Sequence, residues 1–251
     1  MDVVIPPLIA GNWKMNGLAA SLAETAALAR ALARQPSPAR IAVCPPATLI
    51  HRMAQSLAGT PVLVGGQDCH AEACGAYTGD ICAEMLADAG ARLVIVGHSE
   101  RRAYHGETDE MVALKAAAAL RAGLEPIVCL GETLEERRAG WAMDVVTRQA
   151  RESVPTVLAG HPFSVAYEPV WAIGSGQIPT IDEIEQVHAA IRMVLADRLG
   201  ETGLVAPILY GGSVKPSNAC QILAAREVGG ALVGGASLKA ADFMQIIRAA
   251  E

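Results

Sequence analysis

Short apolar runs alternate with longer stretches of helical period along the whole chain. The runs are 8–10, 41–44, 62–64, 93–96, 126–130, 165–167, 207–210 and 231–233, and most end on glycine or proline. Near-continuous Val, Ile, Leu and Ala over four or five residues reads as strand buried on both faces. Between the runs the pattern predicts helices over about 18–33, up to Leu57, 81–87, 109–121, up to Ser153 in two pieces broken at Gly140, from Thr180 onward, and 240–249. The clearest period follows the sixth run, where Ile181, Ile184, Val187, Ile191, Val194 and Leu195 recur on one face. Thr133 with Glu136, and Thr180 with Glu183, have the spacing of capping boxes. Eight strand–helix units call for right-handed parallel crossovers. Eight at this length match a closed (β/α)8 barrel, read as one domain over residues 1–251. An open doubly wound sheet is the alternative. It normally has fewer strands and a glycine fingerprint after the first, which Gly11 does not supply.

Composition sharpens this picture. The chain has 251 residues, 52% hydrophobic but only 4% aromatic, so its core must be built from Ala, Val, Leu and Ile. The net charge is −6 and no run of like charges occurs, which argues against nucleic acid or an anionic membrane as partner. No apolar run reaches membrane-spanning length. Met1-Asp2 opens acidic with no apolar export segment after it, so a cytoplasmic protein is expected. The six cysteines form no C-x-x-C pair and are expected to be reduced and mostly buried. The six histidines show no ligand spacing, so no metal is expected.

The candidate chemistry centres on 164–180. Pro169 ends the sixth strand and leaves the carboxylate of Glu168 at its tip. An apolar flap follows, Val170 to Ile173, too short for a helix, and then Gly174-Ser175-Gly176. Taken alone, Glu168 reads as a solvated loop carboxylate with Trp171 packing locally. The barrel changes that, because sites in such barrels lie at the strand C-termini. Asn12 and Lys14, His98 and Glu100, Glu132, Glu168, Ser213 and the Gly234-Gly235 backbone all fall there. Gly211-Gly212-Ser213 and Gly234-Gly235 sit after adjacent strands 7 and 8. Backbone N–H groups can approach an anion closely at such turns, so a phosphate subsite is expected.

The stretches 11-GNWKMN-16, 75-GAYTGD-80, 97-GHSERR-102, 166-AYEPVWAIGSG-176, 210-YGGSV-214 and 233-VGGASL-238 resemble the triosephosphate isomerase family over nearly the whole chain. The resemblance implies a TIM barrel that interconverts dihydroxyacetone phosphate and D-glyceraldehyde 3-phosphate, in central carbon metabolism, without cofactor or metal. By matching position Glu168 would be the base and His98 the neutral electrophile. Lys14 would supply positive charge and Asn12 would position the substrate. Gly174, Ser213, Gly234 and Gly235 would hold the phosphate, Glu100 and Trp171 would shape the site, and 169–178 would be a lid. The long 65–80 loop would insert into a second subunit, carrying Thr78 to the partner's site in a homodimer. Arg101 and Glu107 resemble an ion pair that braces that region.

Three places depart from the family pattern. The lid ends Ser175-Gly176-Gln177-Ile178-Pro179, where many members have Thr-Gly-Lys-Thr-Ala. Gly229 stands where Asp is frequent, and Asp80 and Cys82 stand where Glu and Ser are common. Two other readings remain open on residues alone: a metal-dependent phosphosugar epimerase on the same barrel, and a phosphate-binding barrel without catalysis.

Overall fold

The computed structural model describes residues 5–173 and 177–251. Its strands are β1 (Leu8–Asn12), β2 (Arg40–Cys44), β3 (Val62–Gly66), β4 (Leu93–Val96), β5 (Glu125–Leu130), β6 (Ser164–Tyr167), β7 (Ile208–Tyr210) and β8 (Gly230–Val233). They pair in chain order, all parallel, and β8 closes on β1 with Leu8 opposite Gly230. The open-sheet alternative is therefore overturned. The apolar runs conceal a period of two, because both strand faces are buried. Leu8, Ala10, Ile95, Ile127, Ala166 and Leu209 point into the barrel, while Ile9, Val94, Val128, Val165 and Ile208 face the helices.

The helices are α1 (Leu22–Arg34), α2 (Ala47–Ser56), α3 (Ala83–Asp88), α4 (Ser99–His105), α5 (Asp109–Arg121), α6 (Leu134–Arg138), α7 (Ala142–Ser153), α8 (Ile181–Leu199), α9 (Glu201–Val205), α10 (Ala219–Leu223) and α11 (Ala240–Arg248). Both expected capping boxes form, at Thr133–Glu136 and Thr180–Glu183. Along α8 the expected stripe is buried from Ile184 to Leu195. The break at Gly140 is present, with φ +80°. Among the described residues no helix is long and apolar enough to cross a membrane.

Several elements differ from the sequence pattern. The first helix is preceded by a 3-10 turn at Ala19–Ser21. Helices α4, α9 and α10 are too short to display an apolar period. The flap at Val170–Ala172 closes one 3-10 turn. After β8 a 3-10 turn, Gly235–Leu238, precedes α11. Cys44, Cys69, Cys82 and Cys129 are buried and Cys74 and Cys220 are exposed, all as free thiols. Burial pushes the Cys44 thiol up to about 12.

Several polar groups are buried in the core, His188 among them. His188 of α8 is fully buried, edge-on to Tyr167 with ring centroids 5.8 Å apart. Its Nδ1 lies 3.1 Å from the Glu227 carbonyl, to which it can only donate, so Nε2 is the bare nitrogen and has no hydrogen-bond partner among the described residues. Burial lowers its pKa from 6.5 to about 4. The unfolded chain thus binds this proton more readily than the folded one. Stability from this group is intact above pH 6.5 and declines as pH falls toward 4, by up to about 3 kcal/mol. Denaturant titrations of His188→Gln should show a flatter decline over that window than wild type. Parallel profiles would refute this account of His188.

Candidate active site

The C-terminal ends of β1, β4 and β6 bring the predicted groups together. Glu168 follows β6 and is only 1% exposed. Its Oε1 lies 2.8 Å from His98 Nε2, and its Oε2 accepts the Ser99 N–H at 2.9 Å. The solvated-carboxylate reading is therefore wrong. Ser99 opens α4, so the donor is a free N–H of a helix's first turn, where a carboxylate is favoured.

Two glycines make the carboxylate's position possible. A Cβ on Gly131 would lie 1.7 Å from the Glu168 carbonyl oxygen. A Cβ on Gly211 would lie 2.9 Å from Glu168 Cγ. Both directly follow strand ends, and their spatial role comes from β5 and β7 flanking β6.

His98 is itself the N-cap of α4. Its Nδ1 accepts the Glu100 N–H at 3.2 Å, so the ring proton sits on Nε2, facing Glu168. Burial tends to lower the imidazole pKa, but the Glu168 carboxylate outweighs it and the pKa is raised. For Glu168, burial acts to raise the pKa, yet His98, the Ser99 N–H and Lys14 together hold it below the usual carboxylate range. Burial, and then Glu168, push the Cys129 thiol beneath them upward, which keeps it protonated.

Lys14 follows β1 with a left-handed backbone, φ +52°. The Asn12 side chain accepts its N–H at 3.0 Å, and Gln67 donates to its carbonyl at 2.9 Å. Its ammonium reaches Glu100 at 2.5 Å. Asn12, Lys14, His98 and Glu100 line a cavity of about 850 Å³ that runs beneath the 65–80 loop to Glu107 and Lys115. There Arg101 meets Glu107 at 2.5 Å, and Lys115 and Asp68 complete a network that the sequence did not disclose. Gln67, Ser99 and Asp68 act through pairings 47 to 69 residues apart, for which no local motif exists.

On the opposite rim the Ser213 hydroxyl donates to the Ala172 carbonyl at 2.9 Å. A Cβ on Gly234 would meet only Lys14 Cε, at 3.8 Å, and one on Gly235 would meet nothing within 4 Å. The backbone there borders open space near the ammonium. Trp171 Nε1 donates to Glu132 at 2.7 Å. Gly174, with Ser175 and Gly176, lies outside the described residues. Thr78 is exposed, as is the whole of 72–80, and no described contact joins it to the other candidates. Among the described residues no group of three or more His, Cys, Asp or Glu is placed to hold a metal ion.

The sequence profile of triosephosphate isomerase matches residues 7–250. The chain belongs to the triosephosphate isomerase family. It is 63% identical over 243 residues to the triosephosphate isomerase of Caulobacter vibrioides, covering 97% of this chain and 96% of that one. It is 58% identical over 245 residues to that of Afipia carboxidovorans, covering 98% of each. The crystal structure of triosephosphate isomerase from Bartonella henselae superposes with a TM-score of 0.91 at 47% identity, covering 98% and 99% of the two chains. Triosephosphate isomerase membership accounts for the barrel and for the order in which its motifs reach the mouth.

The His98–Glu168 contact has a measurable consequence. Glu168→Gln removes the charge that raises the imidazole pKa and leaves the burial that lowers it. The His98 pKa, followed by ring nitrogen chemical shifts against pH, should therefore fall in Glu168→Gln. A value unchanged or higher would contradict the electrostatic account of the pair.

Proposed function

We propose that this mouth interconverts dihydroxyacetone phosphate and D-glyceraldehyde 3-phosphate through an enediolate, with Glu168 as the base. The observation that carries the assignment is the buried carboxylate 2.8 Å from an imidazole whose proton lies on Nε2.

The chemistry follows from those contacts. To reach a carbon beside a carbonyl, Glu168 must leave the Ser99 N–H and His98 Nε2. Both contacts lower its pKa, while burial raises it. Leaving them therefore strengthens the base at the moment it is needed. The same movement frees Nε2–H to donate to the substrate carbonyl. A neutral imidazole in this role is a tuning for which this enzyme is itself a standard illustration. The Lys14 ammonium then faces the developing oxyanion and the phosphate, and Asn12 holds the Lys14 backbone in place. Ser213 and the N–H groups of Gly234 and Gly235 offer donors to the phosphate, with Gly174 as a fourth. Trp171, on the lid, covers the site and Glu100 holds the ammonium. Excluding water strengthens every one of these contacts and protects the enediolate from losing phosphate.

A homodimer in the cytoplasm goes with this reading. Supporting it, residues 72–80 project from the barrel, and Met15 and Tyr104 on the cavity wall are 96% and 82% exposed. A second subunit seated there would cover them and deliver Thr78 to its neighbour's mouth.

In a coupled assay of glyceraldehyde 3-phosphate isomerisation, Glu168→Gln should lower kcat by about 10²–10⁴-fold, the usual cost of losing a general base. Near-normal turnover would remove Glu168 from that role. For the assembly, sedimentation and specific activity measured together on dilution should fall in step. Full activity in a sedimenting monomer would rule out the shared-site reading.

A further inference from the structure

Arg102 is the last residue of 97-GHSERR-102 and takes no part in the chemistry above. It lies in α4, the helix that has His98 as its N-cap and the Ser99 N–H in its first turn. Its side chain is mostly buried. Nε donates to the Gly97 carbonyl at 2.9 Å. Nη2 donates to the Cys129 carbonyl at 3.0 Å and to the Ser153 hydroxyl at 2.9 Å. Nη1 meets Asp109 Oδ1 at 2.7 Å. Four guanidinium N–H groups are therefore in use.

Gly97 and Cys129 lie where the sheet stops joining the two strands. The β4–β5 pairing ends with Val96 opposite Val128. One residue on, Gly97 turns left-handed with φ +68°, and a Cβ there would lie 2.6 Å from Val112. The chain thus leaves the sheet at the residue before His98. Strand β5 runs on to Leu130, whose carbonyl accepts the Glu168 N–H at 2.8 Å. The guanidinium spans the gap beyond the last pair. One N–H holds the tip that bears His98, and another holds the tip that supports Glu168.

A mostly buried cation needs an anion, and Asp109 at the start of α5 supplies it. Burial acts to raise the Asp109 pKa. The Ser153 hydroxyl, which donates to it at 2.9 Å, and Arg102 and Arg148 together hold it below the usual carboxylate range. The carboxylate is therefore charged, and α5 and α7 fix the plane of the guanidinium. A planar fork can reach two carbonyls, a hydroxyl and a carboxylate in set directions. An ammonium is a point charge with three donors and without that span.

We propose that Arg102 is a positioning residue for the isomerisation, clipping the tips of β4 and β5 together so that His98 is held in register with Glu168. This inference rests on the reading of the site above. The 2.8 Å contact between His98 Nε2 and Glu168 Oε1 joins groups that follow β4 and β6, with β5 between them. Loosening β4 from β5 would shift the imidazole against the carboxylate, and with it the N–H meant for the substrate carbonyl. A small misplacement of that kind slows turnover, while the phosphate rim after β7 and β8 stays in place.

Two variants test it, Arg102→Lys and Ser153→Ala. The first keeps a charge beside Asp109 and gives up the span. The second removes one hydroxyl and leaves both charges, so it decides the matter if Arg102→Lys does not fold. The readouts are kcat, KM, the inhibition constant of inorganic phosphate, and the His98 pKa from ring nitrogen shifts. The last three do not change when part of the sample is merely unfolded. In Arg102→Lys, kcat should fall about tenfold with little change in KM or in phosphate inhibition. Burial lowers the His98 pKa and the Glu168 carboxylate raises it by more, so moving the two apart should lower it. Ser153→Ala should change kcat and the His98 pKa in the same directions by less. A wild-type His98 pKa in both variants would overturn the inference. So would phosphate inhibition weakened as much as kcat, which marks a general loosening of the barrel. An inactive wild type would instead overturn the reading of the site, and the His98 titration, which needs no turnover, separates the two failures.

Discussion

A carboxylate buried to 1% exposure is the constraint on which the rest of this structure turns. An ion so placed needs donors, and Glu168 has them in His98 Nε2 and the Ser99 N–H. The strand order that sets β4 and β6 on either side of β5 puts those donors within reach. Gly131 and Gly211 clear the space, since a single methyl at either would collide with Glu168. The arrangement that makes the buried charge tolerable also weakens it as a base. If Glu168 is the base, as proposed, catalysis would require leaving this state, and a structure that stabilised it further would be a slower enzyme.

The other side of the mouth solves a different problem. A cation near a developing oxyanion must be held without being neutralised. Lys14 is held by its backbone, in a left-handed conformation that a non-glycine residue adopts at some cost. Asn12 and Gln67 fix its N–H and carbonyl, and Gln67 is anchored in turn by the Cys44 carbonyl at 2.8 Å. The ammonium is left to choose between Glu100 and a ligand. Glu100 is a partly exposed partner, so this contact is a weak competitor for a phosphate.

The legible part of the fold was whatever recurs at short range. The eight apolar runs, the α8 stripe and the two capping boxes are local patterns, and each is present. Helix α4 escaped because SERRAYH has no apolar stripe and because its cap is a histidine, not one of the usual hydroxyl or carboxamide caps. Glu168, His98 and Lys14 were readable as strand-end groups, but not the burial that decides their chemistry. Glu132 was noted at a strand end, while its partners Arg137, Tyr167 and Trp171 lie up to 39 residues away and follow no motif. Pairings of that kind become visible only once the barrel closes.

Barrel closure alone does not finish the site. A three-carbon phosphate would fill only a small part of the 850 Å³ cavity, and much of the remainder extends beneath the 65–80 loop toward Glu107. Water in that space would screen the contacts that stabilise an enediolate. Two covers are needed, one over the phosphate rim and one over the Lys14 rim. On the proposed reading the lid would supply the first from within the chain, its flanks bonded through Trp171 to Glu132 and through Thr180 to Glu183. For the second, the chain offers an exposed loop and exposed Met15 and Tyr104, and among the described residues no segment covers them. A second copy presenting the same 72–80 loop would supply it reciprocally, as a two-fold interface requires. On the proposed reading, the exposed face and the large cavity would have one physical explanation: each mouth would be closed partly by its own lid and partly by its neighbour.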